Sequence, residues 1–206
     1  MQINNNILMD WQQAKTYVYP VMLPMKQKLE KQVIQKLWLD LTVYYVIRLV
    51  QEEPWNVQIR ITQGMLQQWG IREEELLKQA MLNMKQGGYK VEKILNVLLN
   101  ALPDIEVPED VADEGCAMIV LTNKAMNQGS VAILDKEILK EIAGEQSMYI
   151  LPASIHEVIL LPEREGVEKE KMDAMVQQVN VESVLPEERL SNHAYYYNGK
   201  KGIIEM

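Results

Sequence analysis

The sequence is poor in the residues that build disulfides and metal sites. It holds one Cys, two His and no Phe. A single cysteine, Cys116, excludes an internal disulfide, and no Cys-x-x-Cys, His-x-x-x-His or His-Glu-x-x-His spacing occurs. Because Cys116 follows the acidic residues Asp113 and Glu114, which disfavour a thiolate, we expect a buried structural cysteine. We expect no bound metal.

Long apolar runs and phosphate-binding glycine loops are also absent. No uninterrupted apolar stretch is as long as a membrane-spanning helix, which needs about 18 residues. The opening Met1–Asn6 lacks the positive region and apolar run of a secretory signal. Gly64–Gly70 and Gly87-Gly88 contain no Gly-x-Gly-x-x-Gly or Gly-Lys-Ser/Thr pattern. These absences predict a cytoplasmic protein that has no nucleotide cofactor and no membrane contact.

The acidic charge belongs to the second half of the chain. The 206 residues are 48% apolar and carry a net charge of -8. Residues 1–100 have 12 basic and 9 acidic side chains, whereas residues 101–206 have 9 and 20. Such a surface repels nucleic acid and favours another protein as partner. Three charges of this acidic C-terminal surface are Glu168, Glu170 and Asp173.

Hydrophobic periodicity predicts the elements of the first part, residues 1–102. Apolar residues recurring every four positions favour a helix over 10–37, broken at Pro20 and Pro24. An apolar run from Leu41 indicates a buried strand, and alternation over 57–61 indicates its hairpin partner. Three helices follow, over 62–69 with Thr62 as N-cap, over about 73–86 before Gly87-Gly88, and over 91–102.

The second part, residues 116–206, reads as β-β-α-β-β-α-β-β after an acidic, proline-bearing linker at 103–115. The chain is therefore either two parts or one continuous domain with that linker. The predicted fold class is α+β, with a mixed or mainly antiparallel sheet and helices packed on one face. The predicted strands are 117–121, 131–134, 148–151, 155–161, 194–197 and 202–205, and the helices are 135–144 and one that includes Met172 to Val179.

Ser154 and His156 are the weak catalytic candidates. Alternation along the predicted strand puts both on one face, with a hydroxyl two residues from an imidazole. Parallel i, i+2 side chains stand about 7 Å apart, farther than the about 3 Å that a nucleophile and a base need. A half-buried histidine held by a hydrogen bond is the alternative interpretation. The aromatic run Tyr195–Tyr197 is typical of a shielded sheet edge or a recognition surface.

Several segments, in order over roughly residues 30–198, resemble a bacterial family that carries only a domain-of-unknown-function label. The resemblance implies an origin in Gram-positive anaerobes and no particular activity, substrate or cofactor. The resemblance also implies that family members usually carry an additional segment before the position of the first helix here, and we expect that segment to be missing from this sequence. The matching segments are Ile61–Leu76, Val120–Lys124, Leu139–Ala143 and, above all, the motif Tyr-Ile-Leu-Pro-Ala-Ser-Ile-His-Glu-Val at 149–158.

Two functions from different classes follow. The first is a non-enzymatic protein-binding or regulatory protein, favoured by the missing catalytic motif and the charge asymmetry. The alternative is a small hydrolase-like enzyme that uses Ser154 and His156. An oligomeric structural component that associates through the apolar helix 91–102 is a third possibility.

Overall fold

The computed structural model describes residues 6–24, 26–50, 56–101, 118–152, 154–164 and 166–206. The chain divides into two compact units, residues 1–87 and 88–206. The division falls at Gly87-Gly88, the glycine pair that ends a helix. The linker predicted at 103–115 and Cys116 lie outside the described residues.

The first unit combines short helices with a four-stranded antiparallel sheet. Its central strand β3 pairs with β1 on one side, and with β2 and then β4 on the other. Its helices are α1 (Asn6–Met9), α2 (Trp11–Ala14), a 3-10 turn (Lys15–Tyr17), α3 (Gln63–Trp69) and α4 (Glu73–Gly87), and its strands are β1 (Val18–Pro24), β2 (Gln35–Trp38), β3 (Leu41–Val50) and β4 (Asn56–Arg60).

Local chemistry sets the ends of α3 and α4 as the sequence predicts. The Thr62 hydroxyl accepts a hydrogen bond from the backbone N–H of Met65, which caps α3. Gly70 ends the helix with a φ of 67°, a left-handed conformation that glycine adopts without strain. Glu73, Glu74 and Glu75 occupy the first turn of α4, where acidic side chains complement the helix dipole.

The helix predicted over 10–37 is wrong beyond residue 17. Residues 18–24 and 35–38 are strands that pair with β3. A repeat of four also fits a strand, since residues four apart lie on one face of either element. Pro20 and Pro24 are tolerated because β1 is an edge strand, whose free side needs no backbone donor.

The second unit is built on six antiparallel strands in the order β10-β9-β7-β8-β6-β5. The strands are β5 (Tyr89–Lys93), β6 (Ile119–Asn123), β7 (Met148–Leu151), β8 (Val158–Pro162), β9 (Tyr195–Asn198) and β10 (Ile203–Glu205). Its helices are α5 (Ile94–Ala101), a 3-10 helix (Gly129–Leu134), α6 (Lys136–Ala143) and α7 (Lys169–Glu182).

Both faces of the six-stranded sheet are buried at its central strands, β9, β7, β8 and β6. One face presents Tyr149, Leu151 and Leu161, which pack against Met172 and Val176 of α7. The opposite face is also covered, because the side chains that point from it are fully buried. These include Leu121, Ile150, Leu160 and Tyr195. The predicted α+β class with antiparallel sheets is thereby confirmed.

Three predicted elements in this unit are corrected. Residues 131–134 form part of a 3-10 helix instead of a strand. Val91 lies in strand β5, and the following helix begins at Ile94. The strand predicted from Ile155 begins at Val158, because the preceding backbone bonds to two other loops instead of a neighbouring strand. No helix in the described ranges is long and apolar enough to cross a membrane.

Candidate functional site

Ser154 and His156 lie in the connection between β7 and β8, where three segments of the second unit meet. The backbone N–H groups of Gly129 and Ser130 donate to the carbonyls of His156 and Ile155, at 2.9 and 3.3 Å. From the other side, Ile155 N–H donates to the carbonyl of Glu188 at 2.8 Å. We call residues 128–130, 154–157 and 188–189 the His156 cluster.

Both ring nitrogens of His156 are engaged within this cluster. The backbone N–H of Gln128 donates to Nδ1 at 3.3 Å, and Nε2 lies 3.2 Å from Oε1 of Glu188. Because a backbone N–H is only a donor, Nδ1 is the acceptor and the neutral ring carries its proton on Nε2. The ring therefore bridges the 128 and 188 segments, and neither nitrogen faces a hydroxyl.

The Ser154 hydroxyl forms a hydrogen bond within its own loop. Its Oγ accepts a hydrogen bond from the backbone N–H of His156 at 2.9 Å, the local turn that serine often closes. Ser154 is 6% exposed, so this hydroxyl is both satisfied and shielded.

Two carboxylates complete the electrostatics of the cluster. Burial raises the pKa of the Glu157 carboxyl, and the nearby Glu188 charge raises it further, whereas the neighbouring His156 and Ser154 side chains oppose the shift. The Glu188 side chain is 35% exposed, so solvent weakens the contact between its carboxylate and His156 Nε2. The carboxyl of Glu157 is thus the group whose ionisation the fold opposes.

Close backbone packing leaves no space beside the cluster at Gly129. A Cβ built there would lie 2.1 Å from Oγ1 of Thr122 and 2.7 Å from the carbonyl oxygen of His156. The Thr122 hydroxyl donates to that same carbonyl at 2.7 Å. Only glycine therefore allows the segments to approach this closely, and the sequence gives no sign of this requirement.

The structure brings Ser154 and His156 together with two carboxylates but does not join the hydroxyl to the imidazole. Gln128, Glu157 and Glu188 also contact this pair, and none of them is predicted as a site residue from the sequence. The position of Glu157 directly after His156 was an available signal, whereas Gln128 and Glu188 approach through long-range folding. Within the described residues, no group of three His, Cys, Asp or Glu side chains is arranged for a metal ion.

A second candidate surface spans the last two residues of α7 and the chain that follows the helix. Val181 and Leu185 are 77% and 57% exposed, and Glu182 and Glu187 beside them are also exposed. No basic residue occurs between positions 181 and 188. We call residues 181–188 the acidic-apolar segment; its last residue, Glu188, also belongs to the His156 cluster.

Of the three acidic residues predicted to form the acidic surface near the start of α7, two are exposed and one makes an internal contact. Glu168 and Glu170 are exposed. Asp173 is an internal contact: its Oδ1 accepts the backbone N–H of Ala194 at 2.7 Å, and its Oδ2 lies 3.0 Å from Nζ of Lys169. Because Ala194 is fully buried, Asp173 holds α7 to the start of β9 and is not a free surface charge.

Fold and site together define an α+β protein with two antiparallel sheets, whose polar cluster joins loops of the larger sheet. The chain matches a family of unknown function (DUF5688) over residues 1–199 and belongs to that family. The resemblance noted from the sequence is confirmed at this level. No curated protein and no solved structure matches the chain.

Proposed function

We propose that this protein is a non-enzymatic binding protein that regulates or positions another protein by holding a basic, partly apolar segment of it. The observation that carries the proposal is the acidic-apolar segment, where the exposed side chains of Val181 and Leu185 accompany exposed carboxylates. Exposed apolar groups bordered by charge are typical of protein interaction surfaces.

The charge of the second unit supports the same kind of partner. Residues 88–206 contain 21 acidic and 11 basic side chains, whereas residues 1–87 contain 8 and 10. An acidic surface accelerates encounter with a basic partner, and the rate falls as salt screens the attraction. The apolar side chains then supply affinity through burial, which salt weakens little.

The alternative is a hydrolase that uses Ser154 and His156. It requires a hydroxyl within hydrogen-bond reach of a ring nitrogen that is free to accept a proton. Here Oγ of Ser154 accepts the backbone N–H of His156, and Nδ1 accepts that of Gln128. The alternative therefore depends on a rearrangement of this cluster, and we prefer the binding function.

The test is affinity capture from cells that express the protein naturally, followed by calorimetry with each purified captured protein. The test variant is Glu182→Lys/Glu187→Lys, and the matched control is Glu141→Lys/Glu145→Lys, which changes two other exposed carboxylates. We expect one basic partner whose affinity falls at least about tenfold in the test variant only, and falls further with added salt.

Two results would contradict the proposal. The first is equal binding of every captured protein by the test and control variants. The second is a hydrolytic activity of the intact protein that His156→Ala abolishes while the fold is retained, which would establish the alternative.

A further inference from the structure

The outer edge of the six-stranded sheet is suited to pairing with a second copy of this chain. β5 is the terminal strand and pairs on one side only, with β6. No strand among the described residues pairs with its other side. It contains no proline, so its outward backbone groups form a template for another strand.

The residues of β5 whose backbone faces outward can be identified. The backbone N–H of Ile94, next after the strand, donates to the carbonyl of Met118 on the β6 side at 2.9 Å. Because backbone groups alternate in direction along a strand, those of Glu92 and Lys90 also face β6. The N–H and C=O groups of Tyr89, Val91 and Lys93 therefore face the free edge.

We propose that two copies pair antiparallel through β5 about a two-fold axis at Val91, joining the two sheets into one. Val91 then lies opposite Val91 of the second copy, and Tyr89 lies opposite Lys93. All three outward-facing residues of each strand exchange hydrogen bonds, since each meets another outward-facing residue.

Side-chain charge selects this register. With the axis at Val91, Lys90 lies opposite Glu92 of the second copy, and the symmetric pair repeats the contact. Moving the axis by one residue places Lys90 opposite Lys90, or Glu92 opposite Glu92. Opposite charges across a strand pair stabilise it and like charges destabilise it, so both shifted registers are disfavoured.

The same two side chains form a pair within one strand of the single chain. Nζ of Lys90 lies 3.0 Å from Oε2 of Glu92, and the two side chains are 38% and 33% exposed. Both charges therefore lie on one face of the edge strand, within reach of an arriving copy. Pairing adds a cross-strand partner to each charge without requiring either side chain to be buried alone.

Apolar side chains are also exposed on β5 and on the helix that follows it. Val91 is 42% exposed, and Leu99 of α5, the helix that directly follows, is 40% exposed. Six of the eight residues of α5 are apolar, and none of its side chains whose burial is described is classed as buried. A helix this apolar gains from a neighbouring surface, since burial stabilises by about 25 cal/mol per Å².

The test is sedimentation of the full chain over a range of concentrations. We expect reversible dimers, and Lys90→Glu should raise the dimer dissociation constant at least about tenfold because symmetry turns two attractions into two repulsions. The double variant Lys90→Glu/Glu92→Lys restores opposite charges across the axis and should restore dimers. Lys200→Glu, an exposed residue beyond the other end of the sheet, is the matched control.

A second variant tests the backbone contact without changing charge. Val91→Pro removes an outward N–H and leaves the β6 side intact, so it should abolish dimers while circular dichroism shows the fold retained. A monomeric wild-type chain at every concentration would overturn the proposal. Dimers that survive Lys90→Glu, or that the double variant fails to restore, would overturn it equally.

Discussion

At the scale of the residue, the partly exposed carboxylate of Asp173 holds α7 to the chain just before β9. We expect Asp173→Ala to lower the free energy of unfolding by about 1–3 kcal/mol, because the buried N–H of Ala194 loses its acceptor. Urea unfolding measures the difference. Glu170→Ala, an exposed neighbour in the same helix, is the control, and an equal effect of both changes would contradict this role.

Glu157 makes the stability of the native state decrease as the pH rises. Its folded pKa is raised above the ordinary 4.5, so the native state binds a proton more tightly than the unfolded chain does. This contribution favours the native state at low pH and is lost as the pH rises through the raised pKa.

We therefore expect Glu157→Gln to stabilise the protein relative to the wild type increasingly as the pH rises from about 4 to about 7. The gain stays below about 1 kcal/mol, because the group is partly exposed and solvent screens its charge. Thermal or urea unfolding at several pH values measures it. A difference between the two proteins that does not change with pH would contradict the burial of this carboxyl.

At the scale of the element, one amide holds α4 to the start of the first sheet. Nδ2 of Asn83 donates to the carbonyls of Lys15 and Val18, at 2.7 and 2.9 Å. These carbonyls belong to the first residue of the 3-10 turn and the first residue of β1. The buried amide thus completes backbone bonding at a junction between a turn and a strand.

We expect Asn83→Ala to lower the free energy of unfolding by about 2–4 kcal/mol, because two backbone carbonyls lose their hydrogen-bond donor together. Leu82→Ala, at a 45% exposed position of the same helix, should change stability by less than about 0.5 kcal/mol. Chemical unfolding compares the two. Hydrogen exchange at the β1 amides locates the effect, and unchanged exchange in Asn83→Ala would show that the amide does not anchor this junction.

At the scale of the whole molecule, the second unit contains every strand of its own sheet. The hairpin of β9 and β10, helix α7 and the His156 cluster also lie within residues 88–206. A unit whose hydrophobic core and strand pairing are internal has the properties of an independently folding domain.

We expect a fragment of residues 88–206 to fold alone, giving a dispersed proton–nitrogen NMR spectrum and cooperative unfolding. Retention of the α7 packing would appear as slow exchange of the β7 and β8 amides. A collapsed spectrum would show that this unit needs residues 1–87 for its stability.

The sequence by itself determined elements whose signals are local. Thr62 and Gly70 bound α3, Asp135 caps α6 with its side chain, and the apolar run from Leu41 forms the buried strand. Caps depend on hydrogen bonds over two or three residues and buried strands on a continuous apolar run, so neighbours in sequence contain the needed information.

Tertiary structure alone decided the rest. A repeat of four residues fits both a helix and a strand, and only pairing with β3 makes residues 18–24 a strand. Likewise, Ile155 and His156 leave the predicted strand because Gly129, Ser130 and Glu188 form hydrogen bonds with their backbone groups. The imidazole contacts Gln128 and Glu188, residues distant in sequence, because long-range folding places three loops together.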